Sequence, residues 1–412
     1  MFTMHHLKLL LQSLAYLTLV FFLLYEVDDK TKIEECTGFD ASAIALARSD
    51  YDFLIKYGTF DEPSNRRVVV VALDPKFEPE KVISNFCTQR EFTARVIDRL
   101  NELKVSVIAL DKIYMRDRCD ENDIGTQNLQ NAIKTSRAII TVGIDTRIEP
   151  KTHLNNRDLC LLLHGDSGLP LDVPDDRRGL LRLDPNTRLA PLAWPVHVVN
   201  EEKKINTVED LPTLSFVTAR AAEPRIVRAK RLEHAIRSGQ QPYSTRVDIQ
   251  SHSFSALQIL CGAKASRSID WRNCKSEEPR QEFDQAIVVF GDHIGDADRH
   301  PDARELGGIY GVDLQANYVA AILDKRCYMP LMSSTANLLF VGIALLLLHV
   351  CFHFFKPLWR TFIFAVSAWA VIVALSFIIV SFTGYLFTIW VQGVTLSTIF
   401  VTALHYWTIT ED

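Results

Sequence analysis

Apolar residues are grouped along this chain in two ways. Between residues 67 and 144 they form short β-branched blocks separated by stretches of helical period. RVVVVALD (67–74) is one block and ends in an acid. FTARVIDRLNELK (92–104) follows, with Phe92, Val96, Ile97 and Leu100 on one helical face. VSVIALD (105–111) is the second block, again closed by Asp, then NLQNAIKTSR (128–137) reads as a helix and AIITVGI (138–144) as a third strand. QAIVVFG (285–291) fits a further buried strand, and VDLQANYVAAILDKR (312–326) a strand end running into a helix. Strands that are apolar throughout, alternating with helices, predict an α/β unit with a mostly parallel sheet covered by helices. Residues 150–284 are less regular. Short strands, loops and helices near 228–238 and 253–261 are expected there, as an insertion or lobe on the same sheet.

The second grouping is longer. Residues 7–25, 337–355, 361–382 and 385–407 are apolar runs; the last three hold no Asp, Glu, Lys or Arg. Each is long enough to cross a hydrocarbon core of about 30 Å at about 1.5 Å per residue. The first run is followed by EVDDKTK, not by a small-x-small cleavage site, which favours an uncleaved signal anchor. Four transmembrane helices are therefore expected, one N-terminal and three C-terminal. The boundaries are a stub and anchor at 1–25, an external domain at 26–333, three spans within 334–407 and a tail at 408–412. Lys356 and Arg360 in the first short connector place that connector, and with it both termini, in the cytoplasm. The large domain then lies outside. No Asp, Glu, Lys or Arg lies in the three C-terminal spans, which counts against an ion or proton transporter.

Charge and cysteine content narrow the partners. A net charge of −5 argues against nucleic acid, which needs a basic footprint. Of eight cysteines, Cys351 falls in a span, while Cys36, Cys87, Cys119, Cys160, Cys261, Cys274 and Cys327 lie in the external segment. Disulfides are expected there, with Cys261 and Cys274 as a local loop closure. No CxxC or HxxxH pair supports zinc.

The densest candidate chemistry is IVVFGDHIGDADRHPD (287–302), with Asp292, His293, Asp296, Asp298 and His300 in nine residues. Calcium is disfavoured, because the Gly of a Ca²⁺ loop is misplaced and no Glu closes it. No nucleophile–base–orienter set is visible, so neither a metal, a cofactor nor a catalytic residue is expected. Asp74, Asp111 and Asp292 each sit at or just past a strand end. In a parallel sheet this gathers three carboxylates at the edge where ligand crevices form. Asp after a strand also caps helices and makes Asx turns, and that reading stands beside the first.

The sequence VVVVALD, then RVIDRLNELKVSVIALD, then FDQAIVVFGDHIGDADRH and GVDLQANYVAAILDKR resembles the type-2 CHASE domain, an extracellular sensor of bacterial receptors. The resemblance covers residues 26–333 and extends to the one-plus-three arrangement of spans. Gly291, Asp298 and His300 match a strand-end Gly and an Asp-x-His-like turn; Gly311, Ala316 and Asn317 match a Gly-x-x-x-His-Ala-Asn stretch, with Gln315 where His is common. The resemblance implies a sensor but no general ligand. Only TITED follows the last span, so a kinase or cyclase output is not expected on this chain.

The expected function is a sensor in the bacterial inner membrane with its large domain in the periplasm. It would detect a small-molecule ligand or partner and signal through a separate effector protein, with a homodimer among the arrangements that fit. Candidate ligand contacts are Asp74, Asp111, Asp292, Asp298, His300 and Asn317. The alternatives are a ligand-free membrane scaffold and an external hydrolase.

Overall fold

The computed structural model describes residues 64–114, 118–120, 122–144, 161–164, 171–181, 189–200, 205–224, 243–245, 253–274, 276, 280–294, 299–300 and 309–330, with scattered positions in 367–386. The chain divides into two compact units, one of residues 61–149 and 160–327 and another of residues 1–60, 150–159 and 328–412.

In the first unit the elements run β1 (Val68–Leu73), α1 (Glu80–Ser84), α2 (Phe86–Glu102), β2 (Val107–Asp111), α3 (Ile124–Thr135), β3 (Ile139–Ile144), β4 (Leu161–His164), β5 (Arg178–Leu180), β6 (Leu189–Pro191), β7 (Ala193–Asn200), β8 (Ile205–Pro212), α4 (Leu214–Ala222), β9 (Tyr243–Thr245), β10 (Ser253–Ser255), α5 (Ala256–Cys261), β11 (Ile287–Asp292), β12 (Arg299–His300), β13 (Ile309–Tyr310) and α6 (Gly311–Leu323). Six strands form one sheet in the order β10-β1-β11-β2-β3-β5. Every pair in it is parallel. This is the sheet that the apolar runs predict, and all residues of β1 are buried, as a sheet covered on both faces requires. β7 and β8 form an antiparallel pair, with β4 parallel to β7, in a separate three-stranded sheet. The 150–284 region therefore supplies β5 and β10 to the main sheet and also builds a sheet of its own.

Alternation along the strands sorts the two faces. Val69, Val71, Leu73, Ile108, Leu110, Ile140, Val142, Val288 and Phe290 pack with Phe92, Val96, Ile97 and Leu100 of α2, Leu129 and Ile133 of α3, and Leu257 and Leu260 of α5. The opposite residues, among them Val70, Ala72, Ala109 and Val289, are buried on the side of α4 and α6. Helix starts follow from local chemistry. The Asn85 side chain accepts from the Thr88 amide, Asp123 from Gly125, and Ser255 with Gln258 forms a capping box on α5. These caps begin α2 and α3 one turn or more earlier than apolar periodicity does, because FCTQRE and IGTQ carry few apolar residues to reveal the period.

In the other unit, β14 (Cys327–Pro330) pairs in parallel with β15 (Tyr385–Leu386). The expected span 361–382 has helical positions at Ser367, Ala370, Val373, Ala374, Phe377, Ile378 and 380–382. The runs 7–25 and 337–355, nearly all of 385–407, and the expected helix at 228–238 lie outside the described residues. Among the described residues no helix is long and apolar enough to cross a membrane.

Candidate functional site

The carboxyl edge of the sheet is set by register. Leu73 of β1 is opposite Asp292 of β11, and Gly291 is opposite Asp111 of β2. Asp74, Asp111 and Asp292 thus reach one edge, as their strand-end positions predict. β1, β2 and β10 are each followed by helices on the α2 face, whereas β11 is followed by α6 on the other. Connections part on either side of β11. At such a switch point an open parallel sheet leaves a crevice beyond its strand ends.

The three acids do not act as one cluster. Asp74 makes the turn after β1. Its Oδ1 accepts from the Lys76 amide at 2.8 Å, and its carbonyl accepts from Phe77 and Glu78 at 2.9 and 3.0 Å. The Asx-turn reading is the one realised at this position. Asp292 points to the α2 face and is paired with Lys112, whose Nζ lies 2.6 Å from Oδ1. Lys112 is 9% exposed and Asp292 30%. Tyr114 is buried on this side, close to Thr93 and Asp292. Burial pushes its phenol above the usual range, the Thr93 hydroxyl opposes this, and the nearby Asp292 charge adds to it. Asp111 continues the alternation of Val107 and Ala109, which places it on the α6 face.

One residue further on, His293 goes to the α6 face. Its backbone N–H donates to Leu73 O at 2.9 Å. Its Nε2 lies 3.0 Å from Asp313 Oδ2 in the first turn of α6, and its ring stacks on Tyr310 with centroids 4.3 Å apart. Strand alternation therefore sends neighbours Asp292 and His293 to opposite sides of the sheet.

Gly291 lets α6 approach. A Cβ there would stand 2.9 Å from Val312 Cβ and Cγ2 and 3.2 Å from Asp111 O. The first turn of α6 consequently rests on the ends of β11 and β2. One turn on, Gln315 Nε2 donates to Leu181 O at 3.1 Å. Leu181 folds over Gly143, whose missing Cβ would be 2.2 Å from Leu181 Cδ2. Gln315 is 1% exposed, and its Oε1 is buried with no hydrogen-bond partner among the described residues. Asn317 is buried in α6. Asp298 lies outside the described residues, and for His300 the backbone pairing to Ile309 is described.

A further carboxylate ties the edge together. Glu78 is fully buried. It accepts from the Asp74 amide at 2.6 Å, the Leu257 amide at 3.0 Å and the Ser255 hydroxyl at 2.8 Å, joining the ends of β1 and β10. Desolvation outweighs these donors and raises its pKa to about 7.

Two disulfides flank this region. Cys261–Cys274 closes the local loop that its spacing predicts. Cys87–Cys119 joins the first turn of α2 to the loop carrying Lys112 and Tyr114. With both sulfurs bonded to each other, the nearby Asp123 completes no metal site; it caps α3 instead.

A parallel sheet with a polar switch point beside β11, reached from both faces, is the frame in which the family comparison belongs. The model of the CHASE2 domain matches residues 36–350. The chain belongs to the CHASE2 family. CHASE2 domains are extracellular sensor domains, so a sensory module is the coarse function of this chain. No curated protein and no solved structure matches it. Within the CHASE2 unit, sequence reasoning finds Asp111, Asp292 and Gly291. It misses Lys112, Glu78 and the Cys87–Cys119 bond, none of which carries a local signal. His293 lies within the motif, and its placement on the α6 face follows from strand alternation once β11 is extended to Asp292.

Proposed function

We propose that this protein is a membrane-anchored, extracytoplasmic sensor that binds a small molecule at the carboxyl edge of its sheet. Its state would be read by an effector protein through the apolar spans. The observation that carries this reading is the course of α6. The helix starts on the ends of β11 and β2, where Val312 meets Gly291. It ends beside Arg66, just before β1, where Arg66 Nη2 donates to Leu323 O at 2.8 Å and Nε to Asp324 at 3.0 Å. Thirteen residues thus join the candidate ligand edge to the opposite edge, a distance of about 20 Å at about 1.5 Å per residue. Arg66 also bonds Glu223, at the end of α4, at 2.5 Å. A cation on the carbonyl end of α6 suits the helix dipole and offsets the two acids. A ligand that moves the first turn of α6 has a rigid element through which to act on residues 324–327.

The test has two arms on the full chain. Reporter fusions at residues 357 and 412 should read cytoplasmic and one near residue 200 external; the reverse pattern contradicts the extracytoplasmic placement. In mild detergent, a panel of small metabolites should include one that raises the Tm. A chain indifferent to every small molecule but co-purifying stoichiometrically with another protein would be a scaffold instead.

A further inference from the structure

The two disulfides of the α2 face stand in opposite surroundings. Cys261 is the last residue of α5, at the carbonyl end of the helix, where the dipole opposes a thiolate. Cys87 is the second residue of α2, a helix of 17 residues, and the amide end of such a helix favours a thiolate. Its partner Cys119 lies beside a relay to a cation. The Thr126 hydroxyl is 3.8 Å from Cys119 Sγ and 3.1 Å from Asp120 O, so its proton can turn to either. The same hydroxyl accepts from Arg90 Nη1 at 2.6 Å, and Nη1 reaches Cys119 O at 3.4 Å. Arg90 is 1% exposed, so water screens its charge little. One acid opposes. An oxygen of Asp123 lies within 4.8 Å of both sulfurs, although its Oδ1 accepts from the Gly125 amide at 2.7 Å.

From these surroundings we propose that Cys87–Cys119 is a redox-active disulfide, opened and reclosed by exchange with a dithiol, whereas Cys261–Cys274 is permanent. The proposal rests on the extracytoplasmic reading only in placing the dithiol in that compartment. Cys87 is half-buried and Cys119 buried, so the entering thiolate meets Cys87 Sγ and expels Cys119. The Cys87–Cys119 bond breaks as a mixed disulfide forms at Cys87. Cys119 leaves as a thiolate, received by the Thr126 hydroxyl with Arg90 behind it. The second thiol of the reductant then closes on the first and releases Cys87. Two electrons pass to the protein, the dithiol becomes a disulfide, and its two protons end on the cysteines. Opening parts the first turn of α2 from the loop that carries Lys112 and Tyr114 out of β2. Arg90 still holds Cys119 O and Thr126, and α3 still lies against Cys87 O, where Gly125 has no Cβ. The loop is thereby loosened within a folded unit, and Lys112, the partner of Asp292, loses one support. Redox state then sets how firmly the candidate ligand edge is held.

The experiment equilibrates the full chain in mild detergent with graded ratios of reduced to oxidised dithiothreitol. Differential alkylation and peptide mass spectrometry then read each cysteine. Cys87 and Cys119 should open together at a ratio at least about tenfold lower than Cys261 and Cys274, a gap of about 30 mV for a two-electron couple. At that ratio the chain should still melt cooperatively, at a lower Tm. Thr126→Val, which removes the relay, should make the bond harder to reduce by about threefold or more. Asp123→Asn, which keeps the α3 cap and deletes the opposing charge, should shift it the other way by a similar factor and guards against a folding defect in Thr126→Val. Opening of both disulfides at one ratio, opening of Cys261–Cys274 first, or opening that coincides with loss of the melting transition overturns the proposal. So does an Asp123→Asn chain that reduces no more easily. The metabolite screen is read separately on the oxidised chain. A chain that answers to a metabolite while its disulfides open together keeps the sensor reading and loses this one. A chain whose Cys87–Cys119 opens first but which answers to no metabolite does the reverse.

Discussion

The two faces of the sheet are built on different terms. On the α2 face, Cys87–Cys119 and Cys261–Cys274 staple helices to loops, and the buried carboxylate of Glu78 receives three donors. On the α6 face no disulfide occurs among the described residues. There the contacts include close approaches over glycine, a hydroxyl pair, Thr141 with Thr218 at 2.8 Å, the His293–Asp313 contact at 3.0 Å and the Gln315–Leu181 hydrogen bond at 3.1 Å. At Gly179 a Cβ would stand 2.6 Å from the Leu214 backbone nitrogen, so α4 lies directly on β5. One face is cross-linked and its buried carboxylate is matched by donors, while the Tyr114 hydroxyl is buried there with no hydrogen-bond partner among the described residues. The other carries no such staple among the described residues, and its helices approach the strands closely over glycines. On the proposed sensor reading, the cross-linked face is the fixed scaffold and α6 the element that responds.

The largest effect should come from cutting the cross-linked face. Cys87→Ser with Cys119→Ser opens a loop with a sequence separation of 32 residues, and the stability lost should be about 3–4 kcal/mol in chemical denaturation. The comparison predicts that any ligand response of the α6 face survives this change under conditions where the variant is folded.

Glu78 gives a pH signature of the same face. Its folded pKa of about 7 lies above the ordinary 4.5, so the folded chain holds the proton over a range where the unfolded chain has released it. Stability is then highest below pH 4.5 and falls as pH rises towards and through 7. From the shift, the loss by neutral pH is about 3 kcal/mol. Glu78→Gln should flatten this decline in a pH series of unfolding curves. It should also lower the starting stability by about 1 kcal/mol, since its amide hydrogens meet a backbone N–H.

Gly291→Val tests the α6 face. The added side chain must push Val312 off β11, with an expected cost of about 2 kcal/mol. Its distinguishing outcome is a changed response to ligand together with unchanged protection of α3. Smallest is His293→Gln, which removes the stack on Tyr310 and the contact to Asp313; the stability change should be about 1 kcal/mol or less, read from the same curves.

The difference between the faces also explains what the sequence reveals. β1, β2, β3 and β11 are legible because burial on both sides makes them apolar without interruption. β5 and β10 are three residues each at the sheet edges, too short to carry a period. The expected carboxylate cluster is legible as a position on the sheet but not as a cluster. Alternation turns Asp292 and Asp111 to opposite faces, and Asp74 is consumed in its own turn. Lys112 and Glu78 become site residues only through neighbours 180 and about 180 positions away, Asp292 and the Ser255–Leu257 segment. Gln315 announced itself only as the residue standing where His is common in the family.

The central claim is that α6 links the ligand edge to the opposite edge. Hydrogen–deuterium exchange on the full chain in detergent, with and without the small metabolite that raises the Tm most, tests it directly. Exchange should change in residues 311–317 and also in 324–327, with α2 and α3 unaltered. A change confined to α2 and α3, or one at 311–317 that leaves 324–327 untouched, would contradict it.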